Sequence, residues 1–93
     1  MKTVLIDDVN GKVEYEIVMG QPFFHLKVHK WSKELFKEHL KTWFKIKTWF
    51  KQQGYDVLWV AIPNDEKLIK FEQMFGFKLV YEMNGKCLLR QEI

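Results

Sequence analysis

The sequence predicts one α+β domain over residues 1–93, with a six-stranded, mostly antiparallel sheet and two helices in the order β-β-β-α-β-α-β-β. Three observations predict it. Period-two apolar alternation runs up to Val28 and returns after Phe77. A helical apolar period continues unbroken from Lys33 to Gln53. Glycine and proline fall at the joints between these segments, where chain reversals need them.

The elements follow in order. "TVLIDDV" reads as a strand, and Asn10-Gly11 predicts a type I′ hairpin turn, because that pair tolerates positive φ at both central positions. "KVEYEIVM" answers it, with Val13, Tyr15, Ile17 and Met19 on one face. "GQP" breaks the run, and "FFHLKVHK" forms a third strand with Phe24, Leu26 and Val28 on one face. Ser32 is placed to cap the long helix, since a serine hydroxyl accepts an amide of the first turn. Gly54 suits the left-handed residue that closes it. "YDVLWVAI" is a fourth strand, apolar on both faces, which predicts a central, doubly buried position. Pro63-Asn64-Asp65 stops it and starts a second helix that ends at Gly76. "FKLVYEM", a turn at Asn84-Gly85 and "KCLLRQE" make a closing hairpin.

The pentapeptide Lys-Thr-Trp-Phe-Lys occurs twice in "KTWFKIKTWFK", six positions apart. Six helical positions turn the chain by about 600°, so the copies face about 120° apart and form no shared surface. Leu35, Phe36, Leu40, Trp43, Phe44, Ile46, Trp49 and Phe50 together define a broad apolar arc expected to lie on the sheet. Lys33, Lys37, Lys41 and Lys45 make an i, i+4 stripe expected to face water. The same stripe is where a nucleic acid or an acidic protein would dock, weakly and in a salt-sensitive way. Net charge is +3, and every basic residue except Arg90 is lysine, which attracts phosphate without the planar fork that reads base edges.

Composition excludes several classes. Hydrophobic residues make up 47% of the chain, which argues against disorder. No apolar run is long enough to span a bilayer, and Asp7 and Asp8 interrupt any leader-like start, so no membrane partner is expected. The lone Cys87 suits a reducing compartment and a packed thiol, and cytoplasm is the expected location. His25 and His29 share a strand face but stand about 13 Å apart, too far for one metal. His39 falls on the apolar side of the long helix and reads as a core histidine, while Asp7 and Asp8 read as solvated; no metal site is expected.

From Val57 to Arg90, "VLWVAIPNDEKLIKFEQMFGFKLVYEMNGKCLLR" resembles the GNAT (GCN5-related N-acetyltransferase) family. The resemblance lies in a hydrophobic strand, an asparagine at the next helix start, the "FEQMFGF" helix end and an antiparallel hairpin, and the element order extends it over nearly the whole chain. It implies a minimal GNAT-like fold with a parallel pair at its centre, the third and fourth strands, which splay apart to receive acetyl-CoA. The pantetheine arm would meet the backbone of Val28, His29 and Lys30; the pyrophosphate would sit near Ser32 and Lys33, and Asn64 would lie on the opposite wall. The family's proton-donating tyrosine falls at Glu72, with Tyr81 as the other group able to handle protons.

The chain also departs from the family pattern. No glycine lies between Gly20 and Gly54, where the family's phosphate loop carries several, and Trp31 and Leu35 are bulky there. The chain opens at what would be the family's second strand. These features are similar to short GNAT-like proteins of short-tailed phages, some of them virion components. The expectation is therefore a degenerate acetyltransferase fold with no cofactor, located in host cytoplasm or a virion. It would act as an accessory protein with a protein partner or as a homo-oligomer. An active N-acetyltransferase using acetyl-CoA is the alternative, and nucleic-acid binding through the lysine stripe is a second.

Overall fold

The computed structural model describes residues 2–28 and 32–93. Its strands are β1 (Thr3–Asp7), β2 (Gly11–Val18), β3 (Gln21–Val28), β4 (Val57–Pro63), β5 (Lys78–Met83) and β6 (Lys86–Glu92). They form one sheet in the order β1-β2-β3-β4-β6-β5. The β3–β4 pair is parallel and all other neighbours are antiparallel. Helix α1 (Lys33–Gln52) connects the parallel strands, and α2 (Glu66–Met74) leads from β4 to β5. The expected α+β class, element order and central parallel pair are all present.

Both helices pack on one face of the sheet. Phe24, Leu58, Val60, Cys87 and Leu89 point to that face and are essentially inaccessible, against Trp43 and Phe50 of α1 and Phe75 and Phe77 at the end of α2. Aromatic edges hold the centre: Phe24 meets Trp43 at 5.0 Å and Phe50 at 5.2 Å between ring centroids, both near perpendicular. A buried polar link crosses the same core. Trp43 Nε1 donates to Gln91 Oε1 at 3.0 Å, and Gln91 Nε2 donates to the Phe75 carbonyl. One glutamine on β6 thereby satisfies an indole on α1 and a backbone group at the end of α2.

The helix ends are where the sequence placed them. The Ser32 hydroxyl accepts the Leu35 amide at 3.1 Å, and the Asp65 carboxylate accepts the Lys67 amide at 2.8 Å. Both helices close with the same double hydrogen bond around a left-handed glycine. Gly54 N donates to Lys51 O and Tyr55 N to Phe50 O; Gly76 N donates to Gln73 O and Phe77 N to Glu72 O.

Four expectations are corrected. Asn10 and Gly11 do not form a type I′ turn, since neither has positive φ. Asp8 supplies the turn instead: its carboxylate accepts the amides of Asn10 and Gly11, and its own amide donates to the Gly11 carbonyl at 3.0 Å. An aspartate at the first turn position thus relieves the pair of its unusual backbone demand, and Asp8 is a structural residue, not merely a solvated one. The type I′ geometry appears at Met19-Gly20, with φ of 53° and 77°, as well as at the expected Asn84-Gly85. Strand β4 is not buried on both faces. Leu58 and Val60 are, but Trp59 is half-buried and Ala61 exposed, because both helices occupy the other side. The apolar arc of α1 is wider than its contact: Phe44 is 67% exposed and Trp49 46%.

Candidate functional site

The parallel strands touch only briefly. Phe23 pairs with Trp59 and Phe24 with Val60, after which β3 and β4 separate. The gap opens a cleft of about 460 Å³ between Leu26 and Lys27 of β3, Ile62 and Pro63 of β4, and Phe71 and Glu72 of α2. It is open, with space between the strand walls.

Glu72 is the chemically distinctive group in its wall. The residue is 3% exposed, and its Oε2 is buried without a hydrogen-bond partner. Burial pushes its pKa up to about 8. At pH 7 the side chain is therefore mostly the neutral acid, able to donate a proton or a hydrogen bond into the cleft. The signal was legible in part: Ile69, Glu72 and Phe75 are spaced by three, which puts the carboxyl on the inward arc of α2. Residue type alone suggests an ionised carboxylate; only the depth of burial reverses this.

The other candidate residues are not gathered in the same place. Val28 ends β3 opposite Gly11, while His29 and Lys30 lie outside the described residues. Asn64 is turned away from the cleft, its side-chain amide donating to Glu82 and its backbone amide to Gly85 O. Tyr81 is 57% exposed on β5. It is in register with Leu88, and Leu88 with Ala61, so it sits on the sheet face that carries no helix. Glu72 and Tyr81 are thus on opposite sides of the sheet and do not form a proton-handling pair. His25, which sequence reading treated only as a metal candidate, lines the cleft and hydrogen-bonds Glu16 at 2.9 Å. That hydrogen bond holds the Glu16 carboxyl below its usual range.

Ser32 and Lys33 begin α1, where a bound pyrophosphate would need unoccupied amides. The Leu35 amide is taken by the Ser32 hydroxyl, while the Phe36 amide makes the ordinary first-turn helical bond to the Ser32 carbonyl at 2.9 Å. Replacing Ser32 by alanine is expected to remove about 1 kcal/mol of stability, read as a lower thermal midpoint. A midpoint equal to that of the wild type would show that the cap is not needed. His39 Nε2 is also buried without a partner, beside a cavity of about 150 Å³ between α1 and the β1–β2 turn. Cys87 is packed in the core, and burial pushes its thiol pKa up, away from a nucleophile's range. Lys33, Lys37, Lys41 and Lys45 are all exposed, as expected. Among the described residues, no helix is long and apolar enough to cross a membrane.

No family model matches the chain, and no curated protein matches it. Among solved structures it is similar to the crystal structure of a domain from Methanocaldococcus jannaschii DSM 2661, with a TM-score of 0.65 at 17% identity. The match covers 89% of this chain and 56% of that one, so the present chain spans little more than half of its structural neighbour. At that identity the likeness concerns the fold alone.

Proposed function

We propose that this protein is a minimal GNAT-like domain that works as an accessory or interaction protein of the phage type, without competent acetyl-CoA chemistry. The observation that carries this reading is the glycine-free, serine-capped entrance to α1. A diphosphate is held at a helix start by free amides and by glycines that let it approach. Here the Ser32 hydroxyl takes the Leu35 amide, and no glycine lies between Gly20 and Gly54. Side chains occupy the positions where close backbone approach is required. The splay of β3 from β4 supports the GNAT-like scaffold itself, since it supplies the opening into which that family's cofactor would extend.

A second reading, an active acyl-CoA-dependent N-acetyltransferase, is favoured by Glu72. A buried, protonated carboxylic acid in the wall of an open cleft is a plausible donor to a departing thiolate. Titration calorimetry with acetyl-CoA separates the two. The accessory reading expects no heat of binding at micromolar ligand concentrations. Micromolar affinity with turnover of an amine, lost in Glu72→Gln, would replace it with the enzyme.

A further inference from the structure

We propose that the solvent face of α1 is a sequence-neutral docking surface for single-stranded nucleic acid, with Phe44 as its stacking platform and Lys33, Lys37, Lys41 and Lys45 as its phosphate contacts. Apart from Lys33, which opens α1 where the resemblance would put a pyrophosphate, this surface lies away from the cleft.

The argument starts from an anomaly. An amphipathic helix of a small domain buries its large aromatics, and α1 buries Trp43 and Phe50. Phe44 is 67% exposed. It comes three positions after Lys41 and seven after Lys37, so it shares their face. With Leu40, Lys41 and Lys45 it borders a shallow surface depression. Lys47 Nζ lies over the ring, 5.9 Å from its centroid, and places a further positive charge on that side of it. From Lys41 to Lys51 the helix carries four lysines and no acidic residue; Glu34 and Glu38 lie nearer its start. Among the described residues, Lys33, Lys37, Lys41 and Lys45 make no ion pair. Lys51, by contrast, is already engaged, its Nζ donating to Ile93 O at 2.9 Å.

An unpaired basic face attracts a polyanion, and three features narrow which one. The lysines recur at about 6 Å along the helix, comparable to the separation of successive phosphates in an extended single strand. An exposed ring among them offers a face to an unpaired base, which duplex stacking hides. Lysine heads, with no arginine on the helix, contact phosphate without reading base edges, so the binding is indifferent to sequence. An acidic protein would match the charge but leave the ring without a planar partner.

Fluorescence anisotropy with a labelled oligothymidylate tests this. Binding is expected at low salt, with a log affinity against log salt slope near −3, from about −0.7 for each of four phosphate contacts. Phe44→Ala should weaken binding about tenfold at every salt concentration and leave the slope unchanged. Lys41→Gln with Lys45→Gln should reduce the slope to about half. These positions are exposed, so circular dichroism should show each variant folded. Absence of binding at low salt would overturn the proposal. So would a Phe44→Ala variant that binds like wild type, a duplex of equal length that binds as tightly as the single strand, or polyglutamate that displaces the oligonucleotide at equal charge concentration.

Discussion

Stability is expected to fall steeply between pH 5 and pH 8, and Glu72→Met should abolish most of that fall. In the unfolded chain Glu72 gives up its proton near the ordinary value of 4.5, whereas the folded chain holds it to about 8. Between these values the folded state binds more protons than the unfolded state, so each pH unit removes about 1.4 kcal/mol of unfolding free energy. The contribution is complete below the lower value and is lost as pH rises through the upper one. Over the whole window it amounts to on the order of 4–5 kcal/mol, a large share of the total for a domain of this size. Urea unfolding across the pH range is the measurement. In the methionine variant the midpoint should vary little with pH and exceed the wild type at pH 8, because no proton is left to lose and an apolar chain of similar length fills the site. A wild-type midpoint that stays flat from pH 5 to 8 would show that water reaches the carboxyl and that it ionises normally. The Glu16–His25 pair acts in the opposite sense: its depressed carboxyl contributes above its ordinary value and loses that contribution as pH falls.

Gly76→Ala should cost about 3 kcal/mol, lowering the thermal midpoint by roughly 15 °C, while Gly54→Ala should cost about 1 kcal/mol. The two glycines hold the same post in the same helix-ending motif, with φ of +98° and +95°. Their surroundings differ. A Cβ at Gly54 would meet nothing within 4 Å, whereas at Gly76 it would stand 2.3 Å from Gln91 Nε2. Gln91 cannot swing aside without loss, because its amide is held by Trp43 on one side and the Phe75 carbonyl on the other. Displacing it leaves a buried indole N–H and a buried carbonyl unsatisfied. The difference between the variants thus isolates the cost of breaking that link from the backbone cost common to both. Equal losses in paired thermal melts would show that the glutamine relocates freely.

The parts of this fold that were legible in the sequence are those set by short-range chemistry. Ser32, Gly54, Asp65 and Gly76 mark helix ends through bonds spanning two to five residues, and each does so in the structure. The Asn10-Gly11 reading failed at the same range, because a neighbouring aspartate offered the backbone a less strained turn. The exposure of Phe44 and Trp49 was hidden for a different reason. Periodicity tells which side of a helix is apolar, but the width of the sheet beneath decides how much of that side finds a partner. The candidate site was legible as a place and not as chemistry. The family resemblance implied a splay between the third and fourth strands and set Glu72 at the place of the family's tyrosine. Its protonation depends on how completely the chain closes around it, which no local pattern encodes.

Among the described residues, two pairs join β3 to β4. The six strands consequently form two three-stranded ribbons meeting along a narrow seam, with much of the cohesion between them assigned to rings and aliphatic chains instead of to the ladder. Phe24 and Val60 lie on that seam and are wholly enclosed. Whatever enters beside them meets a seam with few ladder bonds, so its accommodation is governed less by the strands than by the tightness of the packed layer behind them.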